Sequence, residues 1–135
     1  MSEAKKRALG ETNYSEYVGD MNQMNSDLAT SLPETVTRYI EASNGFDANA
    51  AAACFAPDAV LRDQDQDYIG IKAIETLISE SSEKYQPHAT VTRAQKDGEK
   101  VMLTAKVAGQ FPGSPVELKF DFLLRQGKIA KLTIQ

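Results

Sequence analysis

The chain carries one cysteine, Cys54, and one histidine, His88. A catalytic thiol needs a histidine partner and partial exposure. Cys54 stands beside Phe55 in an alanine-rich stretch and reads as a small buried hydrophobe. His88 follows Pro87 directly. A group that titrates near neutral pH makes it a candidate at the mouth of a pocket, and a solvated strand start is the other reading. One residue of each type excludes an internal disulfide and Cys/His metal clusters. The run Arg62-Asp63-Gln64-Asp65-Gln66-Asp67 gathers three carboxylates. It lacks the glycine and the later glutamate of a calcium loop, so no metal is expected. No P-loop, G-x-G-x-x-G, G-x-S-x-G or internal repeat is present.

These residues sit in 135 positions, enough for one domain of ordinary size. Apolar residues make up 41% and charged residues 25%, which suits a packed core rather than disorder. A net charge of −4 argues against a nucleic-acid partner, whose footprint is basic. No apolar run approaches the roughly 20 residues of a membrane helix. Residues 1–10 hold Lys5, Lys6 and Arg7 without a following apolar segment, so no secretory signal is expected. A cytoplasmic home is the expectation.

The spacing predicts the elements that must position the chemistry. Residues 1–30 read as an extension whose Tyr14, Tyr17, Val18, Met21, Met24 and Leu28 recur at helical spacing, either a docking helix or a loosely ordered leader. Ser31, Pro33 and Glu34 mark a helix start, with the stripe Leu32, Val36, Tyr39, Ile40 and Ser43 behind them. Asn44-Gly45 is expected to end it through a left-handed glycine. Asp47 then caps a second helix from Ala48 to Phe55, stopped by Pro57. Short strands are expected at 59–63 and 68–69, and a helix between Gly70 and Pro87. The last third alternates with period two. Val101, Leu103, Ala105 and Val107 share a face, as do Val116, Leu118, Phe120, Phe122 and Leu124, and then Ala130, Leu132 and Ile134. Helices followed by an antiparallel meander give an α+β domain with helices on one face of the sheet.

The order and punctuation over residues 31–135 resemble the SnoaL-like branch of the nuclear-transport-factor-2-like superfamily. The matching pieces are Tyr39-Ile40-Glu41-Ala42, Asn44-Gly45-Phe46-Asp47, Cys54-Phe55-Ala56-Pro57-Asp58-Ala59-Val60, Gly70-Ile71-Lys72-Ala73-Ile74, Gly109-Gln110-Phe111-Pro112-Gly113 and Gly127-Lys128-Ile129. The resemblance implies a cone of three helices over a strongly curved antiparallel sheet, an internal pocket and frequent homodimers. It implies no single function, because this fold hosts enzymes and binding modules alike.

Residues 39–63 also resemble ketosteroid isomerases. Tyr39 and Asp63 stand where those enzymes place a hydrogen-bond donor and a general base. In that chemistry a carboxylate removes a proton beside a carbonyl while a phenol stabilises the enolate oxygen. Two readings stay open for each residue. Tyr39 also fits a core stripe, and Asp63 also fits a solvated acidic turn. The isomerases carry a second, acidic donor on the fifth strand, where this chain has Leu118 or Phe120. SnoaL-type cyclases carry a histidine near the Gly109-Gln110-Phe111-Pro112-Gly113 strand and a tryptophan near the end, whereas this chain has no tryptophan and its one histidine, His88, opens an earlier strand.

The sequence therefore predicts a SnoaL-like domain with an internal pocket for a small, largely apolar organic molecule. Its walls are expected from Phe55, Val60, Ile74, Leu77, Val101, Leu103, Leu118, Phe120 and Phe122, with His88 at the mouth. A cofactor-free isomerase or cyclase using Asp63 and Tyr39 is one alternative, and a dimerisation or protein-interaction domain is another. A homodimer through the sheet is expected, with no cofactor, nucleic acid or membrane partner.

Overall fold

In the computed structural model, which describes residues 32–135, the order is α1 (Glu34–Asn44), α2 (Ala48–Ala52), β1 (Phe55–Asp63), β2 (Gln66–Ile69), α3 (Ile71–Tyr85), β3 (His88–Asp97), β4 (Lys100–Ala108), β5 (Val116–Arg125) and β6 (Lys128–Ile134). The stripe of residues 14–28 and the Ser31 cap lie outside the described residues. Pro33 immediately precedes α1, where a missing N–H costs nothing, and Glu34 in the first turn suits the positive end of the helix dipole. Val36 and Tyr39 are the buried members of its stripe.

The turn after α1 differs from the expected one. Gly45 has an ordinary φ of −87°, and Phe46 takes the left-handed conformation at φ 61°. Phe46 N–H donates to the Ser43 carbonyl and Asp47 N–H to the Ala42 carbonyl, the pair of bonds that closes a Schellman cap. The Asp47 carboxylate then accepts from Ala50 N–H at 3.0 Å and starts α2 as expected. The second helix is shorter than the spacing suggests. It stops at Ala52, and Phe55, Ala56 and Pro57 already belong to β1. Pro57 is tolerated there because the ladder between β1 and β6 is interrupted between Phe55 and Val60.

The strands form one open, six-stranded sheet in the order β2-β1-β6-β5-β4-β3. It is mixed rather than wholly antiparallel. The β3–β6 meander brings β6 back beside β1, and those two run parallel. Register shifts mark the β1–β6, β3–β4 and β5–β6 pairs, and such bulges bend and twist a sheet locally. One of them corrects the expected face of β6. Lys131 pairs with Leu123 and Ile129 with Leu124, so Ala130 is the extra residue and Ile129 turns inward in its place.

The helices bury the inner face of the sheet. Leu61, Leu132, Phe122 and Val101 are register partners across β1, β6, β5 and β4, and none is more than 2% exposed. α1 crosses this face from end to end. The Thr35 hydroxyl donates to the Gly127 carbonyl in the β5–β6 turn at 2.6 Å. At the other end the Asn44 amide holds both backbone groups of Ala89 on β3, at 2.8 and 2.9 Å.

Candidate functional site

The inner face changes character along the strands. Beyond the closed row at Leu61 comes the row of Asp63, Ile134, Phe120 and Leu103. Then come Leu118, Ala105 and Val91. Asp63, Ile134, Leu118 and Val91 are only half-buried. The inner face is therefore less completely covered toward the end where β1 and β6 finish and β5 begins, although Ala105 and Val107 stay buried there.

Asp63 reaches this end by strand alternation. Ala59 and Leu61 are buried, so the carboxylate at the next odd position also lies on the inner face. Arg62 lies on the outer face, as expected, and pairs with Asp67 at 2.9 Å and Asp65 at 3.8 Å. A two-residue turn, Gln64 and Asp65 with φ of 53° and 62°, closes the β1–β2 hairpin directly after Asp63. Asp63 has no ion-pair partner among the described residues, and burial pushes its pKa above the ordinary carboxylate value. Asp58, on the same strand but exposed, behaves in the opposite way. The Arg125 guanidinium bonds it and lowers its pKa.

Tyr39 hangs from the middle of α1 onto the sheet and is 5% exposed. Its ring meets Phe55 and Phe122 edge-on, each with centroids 5.7 Å apart. Burial pushes the phenol pKa up to about 12, and the nearby Asp63 charge adds to the rise. At neutral pH the phenol therefore keeps its proton and can donate, and Asp63 is near enough for its charge to be felt there. An interaction with the Ser43 hydroxyl, one turn further along α1, offsets part of that rise and outweighs what the Asp63 charge adds. Yet Ser43 Oγ is buried and meets no partner at hydrogen-bonding geometry among the described residues. The sequence places Ser43 on the same stripe as Tyr39, and a serine on a core stripe is the signal that marks it.

The expected wall separates into three groups. Phe55, Ile74, Val101, Leu103, Phe120 and Phe122 are buried and pack as a core. Leu77 and Leu118 are half-buried, Leu118 in the less covered rows. Val60 is not a wall residue. It pairs with Ile69 and Lys131 on the outer face, because alternation that turns Leu61 and Asp63 inward must turn Val60 outward. His88 is not at the mouth either. It is exposed, and its neighbour Ala89 is the one paired with inward-facing Val107. Cys54 is buried as expected, its thiol donating to the Ala50 carbonyl at 3.6 Å, and burial raises its pKa.

Two grooves on the molecule lie away from Tyr39 and Asp63. One of ≈ 640 Å³ runs between α1 and α2, past Arg38, Glu41, Asp47, Cys54 and Lys128. The other follows the exposed side of α3 from Ile71 to Glu80. No cluster of His, Cys, Asp and Glu suited to a metal occurs among the described residues. No described helix is long and apolar enough to cross a membrane.

Residues 36–132 match the SnoaL-like domain family. The chain belongs to the SnoaL-like family. A proposed polyketide cyclase from Sinorhizobium meliloti is 37% identical and superposes with a TM-score of 0.76, over 78% of this chain and 97% of its own. A Catenulispora acidiphila protein with a ketosteroid isomerase-like fold, solved with trimethylamine, gives 0.69 at 24% identity, over 76% and 85% of the two chains. A protein of unknown function from Cytophaga hutchinsonii, described as NTF2-like, gives 0.65 at 16% identity, over 75% and 85%. Among curated proteins none matches this chain. The SnoaL-like fold accounts for the placement of Asp63 and Tyr39 on one inner surface, and it assigns no specific reaction.

Proposed function

We propose that this SnoaL-like domain takes up a small, largely apolar molecule bearing a carbonyl or enol oxygen at the less covered end of its inner face. There Asp63 exchanges a proton with the carbon beside the carbonyl, without a cofactor. The observation that carries this is the environment of Asp63. Its carboxylate lies half-buried on the apolar face without a salt bridge among the described residues, and burial raises its pKa, while Asp58, Asp65 and Asp67 nearby all have arginine partners. A raised carboxylate pKa brings a general base nearer to the operating pH. The C–H electron pair would move onto the carbonyl oxygen as the proton passes to Asp63, and the Tyr39 hydroxyl would donate to the enolate that forms. The Sinorhizobium relative's description as a proposed cyclase fits proton-transfer chemistry of this kind.

The test is deuterium exchange at the carbon beside the carbonyl of small cyclic ketones in D2O. Exchange above the buffer rate is expected with the intact chain, and a loss of about 100-fold or more in Asp63→Asn. Exchange that persists in Asp63→Asn, or that never rises above buffer, would remove the proton-transfer reading.

A second reading concerns the outer face. Ile69, Met102 and Leu123 are 68%, 47% and 40% exposed there, among Arg62, Lys119, Asp121 and Lys131. An apolar centre with mixed charges suits a self-complementary interface, and we infer a homodimer through the sheet. Sedimentation is expected to show twice the 14.8 kDa chain mass, falling to one chain in Leu123→Glu. A wild-type protein that stays at single-chain mass at tens of micromolar would overturn it.

A further inference from the structure

The sheet is open, so its two outer strands turn backbone N–H and C=O groups toward the outside. β2 has four residues and offers little of this kind. β3 has ten and is the longer edge. Ala89 directs both its backbone groups away from β4, because the Asn44 amide on α1 takes them. Strand alternation gives Val91 the same outward direction. The extra residue Thr92 then carries that direction on to Ala94 and Lys96, which pair with inward-facing Leu103 and Val101 as Ala89 pairs with Val107. Among the described residues, only Ala89 of this set has its outward groups bonded.

The bonds at Ala89 have the form of strand pairing. One amide accepts from the Ala89 N–H at 2.8 Å and donates to the Ala89 carbonyl at 2.9 Å. The backbone of an added antiparallel strand would make the same two bonds to this residue. The later part of the edge is unsuited to pairing for other reasons. Thr92 bulges, with its hydroxyl donating to the Thr104 carbonyl at 3.1 Å, and Lys96 brings an exposed charge opposite Val101. Bulges and charges turned to the inner side are common ways for an edge to avoid strand addition. His88–Val91, before the bulge, holds no Lys, Arg, Asp or Glu, and its guard is Asn44.

We propose that the start of β3, His88–Val91, is a strand-pairing surface for a second copy of this chain, and that the Asn44 amide keeps it closed by standing where the incoming strand would pair. The second copy is the fitting occupant because the segment is complementary to itself. An antiparallel alignment centred on Thr90 lets Ala89 exchange both bonds with Val91 of the partner subunit, and Val91 with Ala89 of the partner subunit. It sets no two like charges against each other. This edge is separate from the outer face of the sheet, and the proposal does not depend on what that face or Asp63 does.

Hydrogen exchange on the intact chain is the first test. The Ala89 amide is expected to exchange about tenfold or more slowly than those of Val91, Ala94 and Lys96. Equal protection of all four would mean that something else already covers the edge. Equally fast exchange of all four would mean that Asn44 guards nothing. Either result overturns the proposal, and neither needs a variant that folds. Sedimentation is the second test. Asn44→Ala should form a concentration-dependent species of about twice the intact chain's mass under the same conditions. Adding Val91→Pro should abolish that species, because proline has no N–H to offer the partner strand and is tolerated at a sheet edge. Val36→Ala, a truncation at a fully buried position on α1, controls for a loosened fold and should keep the intact chain's mass. An Asn44→Ala protein of unchanged mass, association that survives Val91→Pro, or equal association of Val36→Ala would each overturn the proposal.

Discussion

Ser43 and Asn44 are neighbours on one helix and live under opposite rules. Asn44 satisfies an N–H and a C=O of the sheet-edge strand with the two ends of one amide, at 2.8 and 2.9 Å. Ser43 Oγ is buried without a bond of good geometry among the described residues, and its hydroxyl bears on the Tyr39 phenol instead of on the sheet. The contrast extends to the loops. At the Asn44 end, Gln110 N–H donates to the Tyr85 carbonyl at 2.6 Å and Gly109 N–H to the Ser114 hydroxyl at 2.9 Å. Phe111 closes the corner edge-on against Tyr85. A Cβ on Gly109 would stand 2.7 Å from that Tyr85 carbonyl, so only glycine fits so close to the α3 terminus. One region uses its polar groups to hold elements together. The other keeps polar groups in reserve on an apolar surface, which weakens a fold unless something else uses them.

The largest effect expected breaks the paired region. Asn44→Ala removes two hydrogen bonds and leaves two part-buried backbone groups of Ala89 without them. A loss of about 2–4 kcal/mol is expected, at about 1–2 kcal/mol per group. Urea denaturation checks it, and a change below about 0.5 kcal/mol would mean that water replaces the amide at no cost.

A smaller effect comes from the corner after α1. Phe46 is about half exposed yet sits at φ 61°, a conformation costing an L-residue roughly 1–2 kcal/mol. Glycine removes that strain but loses more freedom on folding, by roughly 0.5–1 kcal/mol. Phe46→Gly should therefore gain between nothing and about 1.5 kcal/mol, read as a higher denaturation midpoint at unchanged slope. A clear loss would show that the ring contributes contacts that outweigh its backbone strain.

The same corner shows where the sequence was legible. Asn44-Gly45 marks the end of α1 correctly, but the glycine is one residue early, and Phe46 carries the left-handed turn. Local propensity favours Gly45 for that role, yet the Schellman bonds of Phe46 and Asp47 fix the register instead. Pro57 reads as a helix stop because a proline breaks helices, although it also fits a strand whose partner is missing at that point. Strand faces were the most readable feature. Period two put Leu103, Phe120 and Phe122 inside, and it failed only at Ala130, because a bulge consumes one residue without any mark in composition. Alternation that starts from buried Leu61 also puts Asp63 inward and Val60 outward. The reserve of unpaired polar groups was not legible, since satisfaction depends on what each side chain meets across the fold.

The smallest effect concerns Asp63, and its sign decides which region it belongs to. Burial raises the carboxyl pKa in the folded chain above its unfolded value, so the folded state holds its proton over a window where the unfolded state has lost it. Below the unfolded value both states are protonated, and Asp63 contributes no pH dependence. As pH rises from the ordinary carboxylate range through the folded value, the stability of the fold falls by the amount of the shift and then levels off. Asp63→Asn abolishes that decline, so the variant should match or exceed the wild type at neutral pH and converge with it in acid. The opposite slope is expected for Asp58, whose pKa is lowered by Arg125, so Asp58→Asn should lose stability at neutral pH and little in acid. Paired urea titrations at acid and neutral pH read both slopes. If Asp63→Asn destabilises at neutral pH as Asp58→Asn does, then Asp63 holds the fold together like Asn44, and the reserve of unpaired groups shrinks to Tyr39 and Ser43.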